Sequence, residues 1–361
     1  MIVVDAHADL AWNALNFGRD YTLSAEETRS RERGTDIPNV NGHSLLGWPN
    51  WLEGKVAVLF VTLFATPLRW KETDWPERCY SDAEEAHRLY QSNLDYYHRL
   101  VEDHPDKFTL IRSSYDLEAT LAGWQQGGDA RRIGMVLLME GADAVREPEE
   151  LEAWFEAGVR IVGPAWAGTR YAGGTGDPGP LTSEGRALLE VMDELGMILD
   201  LSHMTEEGVL EALERYEGRL IVSHSSPLAR VPHREKPERH MTDRMIVGVA
   251  EREGVIGTVL ACHFIKDSWT PSQGREAVGL DDIVAAIDHI CQLTGDAAIA
   301  ALGSDFDGGF GLNKVPTGID TVTDLRKIGD QLEERGYDEK EIQGILGENW
   351  LRVLRESLPE E

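Results

Sequence analysis

Eight short apolar runs, separated by longer amphipathic stretches, constrain this chain more than any other feature. They cover residues 2–4, 56–64, 133–139, 159–162, 197–201, 220–222, 255–260 and 298–302. Most are continuous rather than alternating. A strand with one wet face alternates, whereas a continuous run marks a strand buried on both faces, as in a parallel sheet covered by helices. Helical periodicity lies between the runs. Ala86, Tyr90, Leu94, Tyr97 and Val101 form one stripe, and Ile283, Ala286, Ile287 and Ile290 form another. Thr205-Glu206-Glu207 and Thr242-Asp243 read as helix starts, and residues 181–195 and 320–332 as further helices. Eight β/α units predict an α/β fold, a (β/α)8 TIM barrel, as one domain over residues 1–361. The other fold open to this pattern is a doubly wound sheet. Its nucleotide fingerprint is missing, because Gly173-Gly174-Thr175-Gly176 joins no obvious strand to a helix.

A parallel barrel gathers the C-terminal ends of its strands at one rim. In this chain those ends carry metal-ligand residue types. Asp5-Ala6-His7-Ala8-Asp9 follows the first run, and His7 and Asp9 point the same way because strand side chains alternate. Glu140 ends the third run, His203 the fifth, His224 the sixth and Asp305 the eighth. Three imidazoles and three carboxylates suffice for two divalent ions when one carboxylate bridges them. Taken singly, each has an ordinary explanation: a hydrogen-bonded histidine, or an acid that caps the next helix. The information is in the set, since five of eight strands place a ligand type at the same end. Asp307 fits a turn or supporting role as well as a ligand role. His43, His87, His98, His104 and His289 read as structural or exposed, and His263 as core or loop packing, with lining the pocket as the alternative. The irregular stretches 13–50, 66–80, 167–180 and 227–241 all follow strands and are expected over the rim. Trp70 and Trp75 are candidate pocket walls there, with plain loop packing as the alternative.

Charge and cysteines narrow the partners. Asp plus Glu number 64 against 35 Lys plus Arg, a formal charge of -29. Such a chain repels phosphate backbones and anionic lipid, so a small-molecule substrate is expected, with no nucleic acid and no membrane; a homodimer is left open. No apolar run approaches the ~18 residues of a membrane span. No basic and apolar leader precedes Asp5. Cys79, Cys262 and Cys291 are scattered and form no zinc-ribbon or redox motif. A cytoplasmic location is expected.

The order of these segments resembles the metal-dependent amidohydrolase superfamily and, more closely, the membrane (renal) dipeptidase family with its bacterial cytosolic relatives. The segments are Asp5-Ala6-His7-Ala8-Asp9-Leu10, Met139-Glu140-Gly141, Gly196-Met197-Ile198-Leu199-Asp200-Leu201-Ser202-His203 and Ser223-His224-Ser225-Ser226. Gly303-Ser304-Asp305-Phe306-Asp307-Gly308 and Gly347-Glu348-Asn349-Trp350-Leu351-Arg352-Val353 complete them. The resemblance implies a zinc-dependent dipeptidase with two Zn2+ ions. His7, Asp9 and Asp305 would hold one, His203 and His224 the other, and Glu140 together with a water or hydroxide would bridge them. Asp305 would also be catalytic, taking the proton of the attacking water and passing it to the leaving amine. An arginine that forks onto the free C-terminal carboxylate is expected in Arg239-His240-Met241-Thr242-Asp243, where His240 stands in place of the family's asparagine. Arg239 is therefore the substrate-binding candidate, with Arg230 and Arg234 as rivals on the same loop. After the fourth run, Trp166 takes the place of a histidine thought to polarise the scissile carbonyl, and it cannot be protonated. Trp166 is the second substrate-binding candidate, with Arg170 and Tyr171 nearby as candidate donors to the oxyanion. The alternatives are a related binuclear amidohydrolase acting on an N-acyl amino acid or other small amide, and a catalytically silent metal-binding protein.

Overall fold

A computed structural model describes residues 1–361. Each apolar run forms a strand: β1 (Val3–Ala8), β2 (Val56–Leu63), β3 (Ile133–Glu140), β4 (Val159–Gly163), β5 (Ile198–Asp200), β6 (Leu220–Ser225), β7 (Val255–Thr258) and β8 (Ala300–Leu302). They lie in sequence order and every neighbouring pair is parallel. The result is a nearly closed eight-stranded barrel wrapped by helices. The doubly wound alternative is excluded by the strand order, which never reverses.

The seam between β1 and β8 is closed mostly by a side chain. One parallel bridge joins Ala8 to Phe306. Below it the Asp5 carboxylate accepts hydrogen bonds from Ser304 N at 2.7 Å and Ser304 Oγ at 2.5 Å, replacing ladder bonds that the short β8 cannot supply. A short strand, Phe108–Leu110, pairs with Ile133–Met135 of β3 and fills the place that β4 reaches only from Leu137 onward. The sequence reading missed it, because three residues carry no measurable period.

The helices form where the apolar stripes fall. Helix α1 (Leu10–Phe17) follows β1, and α2 (Ala83–Asp103) buries Ala86, Tyr90, Leu94 and Tyr97, while Val101 is only partly covered. Helix α3 (Ser183–Glu194) follows β4, α4 (Glu206–Arg215) follows β5, α5 (Asp243–Glu251) follows β6 and α6 (Leu280–Thr294) follows β7. Thr242 caps α5 through Met245 N. Thr205 occupies the corresponding place before α4, yet its hydroxyl donates to Gly179 O instead. Two expectations change. Residues 320–332 divide into a 3-10 turn, Val322–Arg326, and a helix, Lys327–Glu334. The irregular stretch 13–50 contains the short helices Ala25–Arg31, Ile37–Asn41 and Trp48–Gly54, each too short to show a stripe. No helix is long and apolar enough to cross a membrane. Beside the main core, Trp12, Phe17 and Phe64 form a separate apolar cluster, with Trp75 and Trp166 packed on it.

Candidate metal centre

The six ligand-type residues converge, all of them buried, at the C-terminal rim. Glu140 is at their middle. Its Oε2 lies 3.5 Å from His7 Nε2, while its Oε1 lies 3.1 Å from His203 Nε2 and 3.4 Å from His224 Nε2. His7 Nε2 also stands 3.8 Å from Asp9 Oδ2 and 3.9 Å from Asp305 Oδ1. Two sets of donor atoms therefore cluster within 4.8 Å: His7, Asp9 and Asp305 form one, and His7, Glu140 and His224 the other. The second set differs from the sequence expectation in one member, since His7 reaches across to it. The His7 ring stacks on His224 with centroids 3.6 Å apart, which brings it close to both sets.

The chemistry of these donors fits a divalent cation. Neither ring nitrogen of His7 has a hydrogen-bond partner, although both are buried. Ser223 Oγ donates to the Asp200 carboxylate, so toward His224 Nδ1, 2.9 Å away, it accepts. That puts the proton on Nδ1 and leaves the Nε2 lone pair facing Glu140 and His203 Nε2, the latter at 3.0 Å. Thr175 Oγ1 lies within hydrogen-bond distance of His203 Nδ1, at 2.9 Å, and holds that ring in place. Burial first, then the Arg239 and His7 charges, hold His203 and His224 well below the usual imidazole range, so both imidazoles are neutral. Burial raises the three carboxylates. Asp9 is pushed up to about 7, with the Glu140 charge adding to the effect, Glu140 up to about 8, and Asp305 well above the ordinary range. Three acids massed in a dry site are costly as anions unless cations neutralise them.

The backbone is shaped around this cluster. His203 and Asp305 both sit in the left-handed region, at φ 68° and 60°. A bulky non-glycine residue there is strained, and such strain persists where the surroundings fix it. Gly257 and Gly303 let β7 and β8 close on Ser223. A Cβ on either would lie 2.0 or 1.9 Å from Ser223 O. Asp9 occupies the N-cap position of α1 without capping it, its carboxylate being taken instead by the Thr62 hydroxyl. Helix α2 reaches the site through two tyrosines: Tyr90 Oη donates to Glu140 O at 2.7 Å and Tyr97 Oη to Thr62 O at 2.9 Å.

Arg239 is buried beside the cluster. Its Nη1 donates to His224 O at 2.9 Å and its guanidinium stacks 4.9 Å from the Phe264 ring. It lines a cavity of about 410 Å³ whose floor is Asp9, Glu140, His203, His224 and Asp305. Trp166 lines the same cavity, against Phe64 at 5.2 Å and His203 at 6.0 Å.

A model of the membrane dipeptidase family, peptidase family M19, matches residues 1–359. The chain belongs to the membrane dipeptidase family. It is 31% identical to a dipeptidase-named protein of Schizosaccharomyces pombe over 62% of this chain and 53% of that protein, so the alignment spans about half of that relative. It is 32% identical to an uncharacterised protein of Klebsiella pneumoniae over 62% of this chain and 82% of that one. A metallopeptidase of Rhodobacter sphaeroides, solved with a phosphinate mimic of L-Ala-D-Ala, shares the fold at a TM-score of 0.80 and 23% identity, covering 99% of both chains.

In this membrane dipeptidase family member the rim differs from its sequence-based picture at several positions. Arg170 and Tyr171 do not reach the cavity. Arg170 pairs with Glu184 at 2.8 Å, and Tyr171 Oη donates to Val145 O. Of the rivals to Arg239, Arg234 lines the cavity and Arg230 does not. Trp70 is a wall, while Trp75 packs behind on Phe17. His263, read as core or loop packing, lines the cavity instead, because the chain after β7 turns into a short helix, Cys262–Ile265, at the rim. Asp307 is wholly buried and supportive: it accepts from Ser44 Oγ at 2.7 Å and Leu45 N at 2.8 Å, and pairs with Arg19 at 3.1 Å. Thr62, Thr175, Asp200 and Ser223 were missed by the sequence reading. Ser223 adjoins His224, but nothing in a sequence reports which hydroxyl meets which imidazole.

Proposed function

We propose that this chain hydrolyses dipeptides at a binuclear zinc centre held by His7, Asp9, Glu140, His203, His224 and Asp305. The observation that carries the reading is the split of Glu140: one oxygen faces His7 and the other faces His203 and His224, as a bridging ligand requires. Zinc held by these residues would lower the pKa of a bound water toward neutrality and polarise the scissile carbonyl. The protein's own residues supply the rest. Asp305, next to His7 and held by its left-handed backbone, takes up the water's proton and delivers it to the departing amine. Arg239 has one nitrogen fixed to His224 O and offers its remaining donors to the C-terminal carboxylate. Trp166 packs against the substrate with an apolar face. The cavity admits a molecule of dipeptide size.

The test is a panel of dipeptides, L-Ala-D-Ala among them, with N-acetylated and C-amidated controls. Free dipeptides should be cleaved and C-amidated ones should lose ~10-fold or more in kcat/KM. In Arg239→Lys that discrimination should largely vanish, because lysine cannot fork onto a carboxylate while bonding His224 O. A second reading, an N-acyl amino acid hydrolase, is favoured by Trp166, which puts a non-protonatable ring where a histidine was expected. Cleavage of N-acyl substrates without dipeptide cleavage would select it.

Metal loading should be coupled to protons. Asp9 and Glu140, at about 7 and about 8, hold protons at neutral pH when no cation is present, and cation binding expels them. Titration calorimetry with Zn2+ in buffers of different ionisation enthalpy should show more than ~1 proton released at pH 7. The carboxylate share should fade toward pH 9. Release that is absent at pH 7, or that grows steadily with pH, contradicts this assignment.

A further inference from the structure

The charges lining the cavity are sorted by position. Beyond the metal floor, its carboxylates are Glu72 and Glu77, both on the segment after β2. Its cations are Arg234, Lys236 and Arg239 after β6, and Lys314 after β8. In an eight-stranded barrel with this order, β6 lies across the rim from β2. His263, after β7, sits between the two cationic segments. Its ring packs on Phe264 at 4.6 Å and edge-on to Phe310 at 6.1 Å.

Two of these cations, Arg234 and Lys314, have no acidic partner. Arg19, also buried, pairs with both Glu32 and Asp307. Arg234 is half-buried, its side chain makes no hydrogen bond or ion pair, and its buried Nε is unpartnered. The acids whose charges act on it, Glu235 and Asp267, do not line the cavity, and Asp267 is bound to His233 at 2.9 Å. Lys314 lines the cavity with its ammonium unpaired. Lys236 is accounted for by the Trp70 face, 4.5 Å away. The Arg234, Lys314 and Arg239 charges converge on His263, which burial and these charges push down to about 3. It is therefore a neutral imidazole with a hydrogen bond to give.

One dipeptide carboxylate occupies Arg239. Arg234, Lys314 and His263 are then left as two charges and a donor with no anion. A half-buried cation without a counter-ion is a cost that a ligand can remove. We propose that the cavity selects dipeptides whose C-terminal residue bears a side-chain carboxylate, received by Arg234, Lys314 and His263. This rests on the dipeptidase reading, with Arg239 on the main-chain carboxylate. The formal charge of -29 would otherwise repel an acidic substrate, and a cationic wall inside the cleft opposes that repulsion where the side-chain carboxylate would sit.

Isosteric pairs give the test: Ala-Glu against Ala-Gln and Ala-Asp against Ala-Asn, each with an L and a D C-terminal residue, on the zinc-loaded full chain. The acidic member should have at least ~10-fold higher kcat/KM in one stereochemical series. The ratio should shrink as salt is raised, since screening weakens partly exposed charge contacts. Arg234→Met and Lys314→Met should each lower the ratio toward one. Lys314 makes no side-chain hydrogen bond, so its variant tests the proposal even if Arg234→Met folds poorly. A glutamine or asparagine substrate as good as its acidic counterpart, or a ratio untouched in both variants, overturns the proposal. If no dipeptide is cleaved, the dipeptidase reading fails by itself. The cationic wall is then judged by calorimetric binding of N-acetylglutamate against N-acetylglutamine, where equal affinity overturns it.

Discussion

Glu140→Gln should lose most of its bound metal and lower kcat by ~10³-fold or more, because one substitution removes a ligand from both halves of the site. An amide offers one oxygen where the carboxylate offers two. Its NH2 end would point either at His7 or at the His203–His224 pair, the two groups that Glu140 faces at 3.1–3.5 Å. Stability should move the other way. In the metal-free protein Glu140 titrates near 8, far above an ordinary glutamate, because burial penalises its anion. A folded-state pKa raised in this way contributes stability at low pH that is lost as pH rises through 8. Glutamine cannot ionise and avoids that loss. Metal-free Glu140→Gln should therefore melt at or above metal-free wild type, with the gap widening from pH 6 to pH 9 toward an upper bound of ~4–5 kcal/mol. Elemental analysis, turnover and thermal melts at three pH values check the three parts. A variant with full metal content and normal turnover would show that Glu140 does not bridge.

Asp305→Asn should lower kcat by ~10²–10⁴-fold, the range expected when a positioned acid/base group is removed. The fold should survive. Asp305 adopts φ 60°, a left-handed conformation that asparagine accepts better than other non-glycine residues. The asparagine keeps the shape and one oxygen toward His7, so metal content should fall less than in Glu140→Gln. Comparing the two variants separates holding the metal from moving the proton. Activity within tenfold of wild type in Asp305→Asn would remove Asp305 from the acid/base role.

Much of this was legible before any coordinates. Continuous apolar runs gave all eight barrel strands, because a strand buried on both faces has no choice but to be apolar along its length. The ligand-type residues were legible because parallel topology sends every strand's C-terminal end to the same rim. Elements only one or two periods long were not legible, such as Phe108–Leu110 and the three short helices between β1 and β2. Nor were roles set by side-chain direction. Tyr90 and Tyr97 read as two apolar members of a stripe, yet their hydroxyls hold the backbone at Glu140 and Thr62. His263 read as packing and lines the cavity, whereas Arg170 read as a candidate donor and is committed to Glu184.

The sequence by itself determined the barrel, its rim and the residue types gathered there, since these follow from hydrophobic period and strand polarity, which are local and additive along the chain. The tertiary structure alone decided which oxygen of Glu140 faces which histidine and which hydroxyl fixes each imidazole. It also decided that Arg234, Lys314 and His263 line one cavity, with neither cation paired to an acid. Those facts depend on distances of a few ångströms between segments far apart in sequence, and hydrogen bonds and ion pairs are lost over shifts of that size. No periodicity in one dimension encodes them.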